Sequence, residues 1–262
     1  MDLSFVILTW NSEKYISKCL SSIVISLESS YLSYEVLIVD NGSQDNTINI
    51  IEAQKDINIR LIKLDWNTGT TYSRNLAVQR AIGEFICIMD SDVELQPGTI
   101  EKLITNLKKN CLLGIAAPKL IYPNGRRQKT TDHFPTIQRK ITRYFFLRKI
   151  EKTEETDKKS NTVHEVDYAI SALWVLKKDM INKIGPLDEN IIYSPEDADY
   201  CLRVWKAGYH ILYNPEVFAV HHTQEITRSF KCSKATVEHI KGLFYYFRKH
   251  RYYFRAPVFK NK

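Results

Sequence analysis

Short apolar runs alternate with helical patterns through the first hundred residues, and this alternation constrains the fold more than any other feature. The strand-like runs cover residues 3–8, 35–39, 59–64 and 84–89. Helical patterns lie between these runs, near residues 12–29, 44–55 and 70–82. Short parallel strands that are joined by crossover helices form a doubly wound sheet. The sequence therefore predicts an α/β fold in which ligands bind beyond the carboxyl ends of the strands.

The remaining chain mixes helix and strand patterns less regularly. Strands are predicted near residues 114–122, 166–176, 209–213 and 217–221, and helices near residues 97–109, 177–183 and 196–207. The start of the last helix, Ser194-Pro-Glu-Asp197, also fits a capping box, with Ser194 as the N-cap and Asp197 reaching back. Such a cap would explain the acidic residues at this helix start without any catalytic role.

Composition divides the chain into three parts. Residues 1–95 hold the regular alternation, residues 96–222 hold a second half with a mobile insertion near 123–163, and residues 223–262 form a helical tail. The insertion is predicted from a Pro-Asn-Gly turn, a basic-aromatic stretch and a charged run. We therefore expect a single domain of two abutting halves, followed by the tail.

Positive charge is concentrated in the tail. Residues 223–262 carry ten Lys or Arg and two Asp or Glu, a net of +8, so the total of +7 leaves −1 for residues 1–222. The apolar residues of the tail recur at helical spacing, at Val237, Ile240, Phe244 and Phe247. This pattern suits either an anionic membrane surface or a helix that packs on the body with a solvated basic face. Nucleic acid is not the expected partner, because no recognition motif accompanies the charge.

The cysteines favour a reducing compartment. The chain has five, none in a CxxC pair, and Cys87 and Cys201 fall inside apolar patterns. Residues 1–8 lack a basic region and read as a strand rather than a signal peptide, and no stretch has the length of a membrane span. We therefore expect a cytoplasmic protein, with the tail as a peripheral attachment to the cytoplasmic face of the membrane.

Two carboxylates, Asp90 and Asp92, follow the fourth predicted strand. The strand is apolar and continuous, as in an interior parallel strand, so its carboxyl end lies where such sheets bind ligands. Hard oxygen ligands at this spacing suit a divalent cation, and such a cation suits a diphosphate. A solvated loop explains an isolated Asp-x-Asp equally well, so other motifs must decide between the two interpretations.

Those motifs occur in a set order along residues 3–222. They are Phe5-Val-Ile-Leu-Thr-Trp-Asn11, Val39-Asp-Asn-Gly-Ser43, Asn67-x-Gly69-x-x-x-x-Arg74-Asn75, Met89-Asp-Ser-Asp92, Gly185-Pro-Leu-Asp-Glu189, Pro195-Glu-Asp-Ala-Asp-Tyr-Cys-Leu-Arg203 and Pro215…His221-His222. The ordered set resembles the family 2 glycosyltransferases, inverting enzymes with the GT-A fold. It is most similar to the rhamnosyltransferase-like enzymes of bacterial surface polysaccharide synthesis. The resemblance implies a Rossmann-like mixed sheet and sugar transfer from a UDP- or dTDP-sugar to a glycan or lipid-linked glycan.

The resemblance also implies how the donor is bound, with residues 1–95 as the nucleotide-sugar-binding half. The implied nucleotide-binding residues are Thr9, Asn11, Glu13, Asp40, Asn67, Arg74 and Asp90. The implied ligands of a Mn²⁺ or Mg²⁺ cofactor are Asp92, Asp90 and the strand-end His221, and the neighbouring His222 is the alternative to His221. A mixed oxygen and imidazole site would favour Mn²⁺.

Catalysis and acceptor binding fall, by the same resemblance, to residues 96–222. Asp197 is the implied catalytic base, because a carboxylate at a rigid helix start can take a proton from an acceptor hydroxyl. Glu196 and Trp174 are the implied acceptor contacts. One departure concerns Ser171-Ala172, where many relatives carry Gly-Ala, so the donor sugar is not assigned.

Two other functions stay open. A sugar nucleotidyltransferase also places acidic residues over an α/β sheet, although the Gly-rich phosphate loop with Arg or Lys after the first strand is absent from this sequence. A non-catalytic nucleotide-sugar-binding relative that serves as an assembly partner would keep much of the same residue set.

Overall fold

A nine-stranded mixed sheet forms the centre of the computed structural model, which describes residues 1–142, 161–223 and 234–259. The strands are β1 (Leu3–Thr9), β2 (Tyr34–Asp40), β3 (Ile59–Lys63), β4 (Phe85–Asp90), β5 (Val93–Leu95), β6 (Leu113–Ile121), β7 (Thr131–Asp132), β8 (His164–Glu165), β9 (Tyr168–Ala169), β10 (Leu173–Lys177) and β11 (His210–His221). The helices are α1 (Ile16–Leu27), α2 (Thr47–Glu52), α3 (Thr70–Arg80), α4 (Thr99–Lys109), α5 (Lys178–Ile184), α6 (Glu196–Lys206) and α7 (Lys234–His250), and residues 137–142 are also helical.

The strand order brings the two predicted halves into one sheet. The order is β3-β2-β1-β4-β10-β6-β11-β5, with β8 paired to β11, while β7 and β9 form a separate antiparallel pair. Strands β3, β2, β1 and β4 are parallel, and β10 runs antiparallel to both β4 and β6. The carboxyl ends of β1, β2 and β4 therefore meet at one edge of the sheet. The predicted doubly wound α/β fold is confirmed.

The core consists of two apolar layers, one on each face of the sheet. Alternate residues of β1 point to opposite faces, so Phe5 and Ile7 join one layer and Val6 joins the other. Helices α1, α2 and α4 cover the first layer, whereas α3, α5, α6 and α7 cover the second. Each large apolar side chain that is fully buried contributes roughly 1.5–3 kcal/mol relative to an exposed one. The two layers therefore hold the sheet edge, and the site on it, in a fixed geometry.

The second half departs from the predicted strand boundaries. The strand expected over residues 166–176 is divided into β9 and β10, because Ile170 donates its backbone N–H to Thr130. The two strands expected over residues 209–213 and 217–221 form the single strand β11. A register shift between Asn214 and Phe218 accommodates Pro215, which has no N–H to donate to the ladder.

Part of the predicted insertion near 123–163 is packed against the body. Phe134 and Gln128 are buried, and β7 pairs with β9. Residues 143–160 lie outside the described part of the chain. The division at residues 95 and 222 remains a prediction, although one sheet spans both halves.

Helix α7, from the predicted tail, docks on the body. Tyr246 and Phe247 are buried in the second apolar layer. The Lys249 ammonium lies 2.6 Å from a carboxylate oxygen of Asp188 and 2.6 Å from one of Asp199, and Asp199 is itself buried. The inward face of the tail thus packs on the body, as one of the two alternatives predicted. Across the described segments, no helix combines the length and apolar character that a membrane crossing requires.

Candidate active site

A cavity of about 250 Å³ lies at the carboxyl edge of the sheet. Its charged and polar lining includes Arg74, Asp90, Glu196, Asp197 and His221. These residues come from α3, β4, α6 and β11, which are far apart in the sequence. The fold therefore brings residues from both predicted halves to one place.

Three possible metal ligands converge beside this cavity. Asp90, Asp92 and His221 each offer one ligand atom, and these atoms all lie within 4.8 Å of one another. His221 pairs with Val93 across β11 and β5, and this register sets the imidazole Nε2 3.3 Å from Asp92 Oδ1. Two carboxylates and an imidazole form a donor set that suits a divalent cation, with a preference for Mn²⁺ over Mg²⁺. The residues present therefore fit the metal that the sequence predicts.

The adjacent histidine faces another partner. His222 Nε2 lies 2.7 Å from Glu94 Oε1, and its ring contacts Tyr15. Neighbouring side chains at a strand end point in opposite directions. Of the two candidate histidines, the structure brings His221, not His222, to Asp90 and Asp92.

Gln128 orients the candidate ligand His221. Its side chain is buried, and its amide Oε1 lies 2.8 Å from Nδ1 of His221. In this arrangement Nδ1–H donates to Gln128, so the lone pair of Nε2 is directed at Asp92 and the cation position. No motif in the sequence indicates this role, because Gln128 lies in the segment predicted to be a mobile insertion.

Replacing Gln128 with Leu should therefore weaken Mn²⁺ binding. We expect a loss of affinity of about tenfold or more, as found when the partner of a metal-binding histidine is removed. Gln128→Glu should retain affinity, since a carboxylate also accepts from Nδ1–H. Calorimetry or the EPR signal of free Mn²⁺ measures the change, and Gln138→Leu, at an exposed position of the same segment, is the matched control. Equal affinities for wild type and Gln128→Leu would contradict this role.

Arg74 is the buried cationic centre of the cavity. Its guanidinium lies 2.6 Å from Asp90 Oδ1, donates to Ser171 Oγ at 2.7 Å, and lies 3.5 Å from Glu196 Oε1. Because planar guanidinium groups also bind diphosphate oxygens well, this position fits an anionic ligand next to the metal ligands. Ser171, noted as a departure from the family pattern, is part of this network and donates to Glu196 at 3.2 Å.

Two acidic residues begin helix α6 beside the cavity. Glu196 is buried, and this burial, reinforced by the charge of Asp197 and opposed by that of Arg74, raises the pKa of Glu196 well above its ordinary value. Asp197 is half-buried, and its Oδ1 accepts from the backbone N–H of Ala198 at 2.7 Å.

The predicted capping box is absent from this helix start. Pro195, not Ser194, occupies the N-cap position, and it makes no side-chain capping hydrogen bond. The Ser194–Asp197 capping box therefore does not explain these acidic residues, and Asp197 bonds a first-turn N–H of its own helix instead.

Two of the predicted nucleotide contacts are buried in the structure. Asp40 is fully buried, and its oxygens accept hydrogen bonds from Thr9 Oγ1 at 3.0 Å, Ser43 Oγ at 2.6 Å and the Ser43 N–H at 2.9 Å. Thr9 is fully buried as well. Both residues stabilise the turn after β2, and their contact with the nucleotide stays a prediction.

The other predicted nucleotide residues surround that turn. Asn11 Oδ1 accepts from the backbone N–H of Gln44, and Glu13 Oε2 accepts from that of Asn46. Asn67 Oδ1 accepts from Asn41 and from the N–H of Gly69. These contacts join the loops after β1, β2 and β3, next to the cavity but outside its lining. Their role in nucleotide binding stays a prediction.

Trp174, the other predicted acceptor contact, is buried beside the cavity, and its role in acceptor binding stays a prediction. Its side chain is 0% exposed and stacks on Tyr200 within the second apolar layer. The alternation along β10 directs Trp174 into the core, beneath helix α6. It supports the helix that carries Asp197 and does not line the cavity.

Curated relatives of this chain include two glycosyltransferases of comparable length. The glycosyltransferase AglE of Haloferax volcanii is 23% identical over 244 residues, covering 90% of this chain and 73% of the relative. The N-acetylglucosaminyl-diphospho-decaprenol L-rhamnosyltransferase of Mycobacterium tuberculosis is 22% identical over 272 residues, covering 98% and 87%.

Solved glycosyltransferases share the fold. S. aureus TarS 1-349 in complex with UDP-GlcNAc matches with a TM-score of 0.61 and 21% identity, covering 89% of this chain and 62% of that one. The mannosyltransferase PcManGT from Pyrobaculum calidifontis, in complex with GDP-Man and Mn²⁺, matches with a TM-score of 0.64 and 17% identity, covering 97% and 65%. This chain thus spans less than two thirds of either solved chain. The likeness confirms the predicted GT-A fold.

The family model for glycosyl transferase family 2 matches residues 4–185, which include Arg74, Asp90, Asp92 and Ser171. Asp197 and His221 lie beyond the matched residues, and both line the same cavity. This chain therefore belongs to glycosyl transferase family 2 and is a glycosyltransferase.

Proposed function

We propose that this glycosyltransferase is metal-dependent and inverting, and that it moves a sugar from a UDP- or dTDP-sugar to a glycan or lipid-linked glycan acceptor in surface polysaccharide synthesis. The observation that carries the proposal is the convergence of Asp90, Asp92, His221 and Asp197 at one cavity edge. The solved relative with UDP-GlcNAc supports a uridine diphosphate donor, and the relative named as a decaprenol-linked rhamnosyltransferase supports a lipid-linked acceptor.

The donor diphosphate binds at the cationic side of the cavity. Asp90, Asp92 and His221 would hold the cation, and Arg74 lies within ion-pair distance of Asp90. When bound, the cation neutralises the charge that develops on the departing nucleoside diphosphate. Because Arg74 is buried and held by Ser171, its guanidinium is oriented before the donor arrives.

Asp197 acts as the catalytic base. It takes the proton of the acceptor hydroxyl as that oxygen attacks the anomeric carbon from the face opposite the diphosphate. The new carbon–oxygen bond forms while the bond to the diphosphate breaks, so the anomeric configuration inverts. Glu196 is less suited to this role because it is buried and faces both Ser171 and Arg74. Glu196 instead helps to hold the acceptor in the cavity.

The four described cysteines, Cys19, Cys87, Cys111 and Cys201, are free thiols. Free thiols in buried and exposed positions alike are typical of a reducing compartment. They support the proposed location of the reaction on the cytoplasmic side of the membrane.

Nucleotide release tests the proposed function. The protein is incubated with Mn²⁺ and each of a panel of nucleotide sugars, with a lipid-linked or free glycan acceptor, and the released nucleotide is identified. We expect release of UDP or dTDP that stops when EDTA removes the metal. In a parallel reaction with added pyrophosphate, its consumption to form a nucleoside triphosphate and a sugar 1-phosphate would favour a nucleotidyltransferase. Donor binding without release from any member of the panel would favour the non-catalytic assembly partner.

A further inference from the structure

Helix α7 has two chemically different faces. Its inward face carries Gly242, Leu243, Tyr246 and Phe247, which pack on the body. Its outward face carries Val237, Ile240, Lys241, Phe244 and Arg248, all of which are exposed. Steps of three and four residues place these five side chains on one stripe of the helix, opposite the buried side.

The outward stripe is apolar at its centre. Phe244 is 79% exposed and Ile240 is 59% exposed. The apolar exposure continues in the segment after the helix, where Phe254 is 70% exposed and Tyr253 and Val258 are also exposed. Exposed apolar groups that share one helix stripe mark an interaction surface rather than a surface that faces only water. We call the outward stripe of α7 together with residues 251–258 the tail face.

Basic side chains border the apolar groups of the tail face. Lys241, Arg248, Arg251 and Arg255 are exposed. Glu238 is the only acidic residue in the sequence from 234 to 259, and it pairs with Lys241 at 2.7 Å. The charge of the tail face is therefore positive, and its complement is an anionic surface with an apolar interior.

We propose that the tail face binds the surface of an anionic lipid bilayer. Phe244, Ile240 and Phe254 enter the boundary between headgroups and acyl chains, and Arg248 and Arg251 contact the lipid phosphates. Aromatic and aliphatic groups flanked by arginine are typical of helices that lie in the plane of this boundary. A protein partner would match the apolar groups, but the one-signed charge along their border favours a lipid surface.

The bound membrane lies close to the candidate active site. Gly242, on the inward side of α7, packs so closely on Ser194 that an added Cβ would overlap its carbonyl oxygen. Ser194 lines the cavity together with Asp197. This step rests on the proposed function, in which Asp197 is the catalytic base. The contact holds the membrane-bound helix against the loop that precedes Asp197. The tail face thus positions the cavity to receive an acceptor whose lipid anchor stays in the bilayer.

Vesicle flotation with the full chain tests the membrane proposal without any turnover measurement. The wild-type protein is mixed with phosphatidylcholine vesicles that contain or lack phosphatidylglycerol. The test variant is Ile240→Ser with Phe244→Ser, and a second variant is Arg248→Gln with Arg251→Gln. The matched control is Ile25→Ser with Tyr31→Ser. Ile25 is 61% exposed on α1, across the sheet from α7, and Tyr31 follows the same helix.

We expect the wild type and the control to float with the phosphatidylglycerol vesicles, and binding to weaken in high salt. Each test variant should bind these vesicles at least about tenfold more weakly, while far-UV circular dichroism stays unchanged. Equal binding by test and control variants would overturn the proposal. So would a concentration-dependent dimer that Phe244→Ser dissolves, without vesicle binding by the wild type. Because flotation needs no donor, its outcome is independent of whether the protein transfers a sugar.

Discussion

Replacing Asp197 with Asn should reduce turnover by about a thousandfold while the affinity for the nucleotide changes little. The carboxamide is nearly the same size but cannot accept the proton of the acceptor hydroxyl, and positioned general bases contribute typically 10²–10⁴-fold. Asp197 lies at the start of α6. In the proposed function it faces the acceptor, whereas Arg74 and the metal ligands hold the diphosphate. Steady-state turnover and calorimetric titration with UDP separate the two effects.

Asp179→Asn is the matched control for this substitution. Asp179 is exposed in the first turn of α5, so the same chemical change at a helix start should leave both turnover and UDP affinity unaltered. If Asp197→Asn retains wild-type turnover, Asp197 is not the base. A parallel fall in turnover and UDP affinity would point instead to a disturbed donor site.

Replacing His221 with Ala should weaken Mn²⁺ binding by at least about a hundredfold, because even residues that only support a metal ligand are worth 10–100-fold. The imidazole Nε2 of His221 faces Asp92 at 3.3 Å, and its Nδ1 is held by Gln128. Turnover at limiting Mn²⁺ should fall with the affinity and recover in part at high Mn²⁺. EPR of free Mn²⁺ measures the affinity directly.

His222→Ala provides a control one residue away. Its ring pairs with Glu94 rather than with Asp90 or Asp92, so we expect Mn²⁺ affinity within about threefold of wild type, well below the effect of losing a ligand. Loss of metal binding in His222→Ala, with binding kept in His221→Ala, would contradict the assignment of His221 as the ligand. Wild-type Mn²⁺ affinity in both variants would show that neither histidine binds the metal.

The first half of the fold was accessible from the sequence because its signals are local. Four short apolar runs, each followed by turn residues and a helical pattern, allow few arrangements other than a doubly wound sheet. The second half was less accessible. Strand β11 continues past Pro215 through a register shift in its pairing with β6. Strands β9 and β10 are separated where the backbone N–H of Ile170 donates to Thr130. Both features depend on partners that are distant in the sequence.

The candidate site was likewise predictable from the sequence only in part. Asp90, Asp92, Asp197 and His221 occur in motifs, and the structure places them at one cavity edge. Burial, in contrast, is a tertiary property. The motif that contains Asp40 could not show that its carboxylate is buried, nor could the strand pattern show which face of β10 carries Trp174. Gln128 was missed because a single glutamine in a polar segment carries no pattern.

The tail illustrates how two alternatives can describe the two faces of one helix. The sequence favoured equally a packed helix and a membrane-binding one. The structure buries Tyr246 and Phe247 against the body and leaves Ile240 and Phe244 exposed. The spacing identified the helix but could not separate its faces, because Phe247 and Phe244 fell on the same predicted stripe.

The most direct test of the central claim is the position of Mn²⁺ in crystals of the protein grown with Mn²⁺ and UDP, located by anomalous diffraction. We predict one strong peak coordinated by Asp92 and His221, next to Asp90, with the diphosphate between that peak and Arg74 and with Asp197 on the opposite side of the donor sugar position. A peak at any other place, or a diphosphate bound away from these residues, would contradict the proposed site.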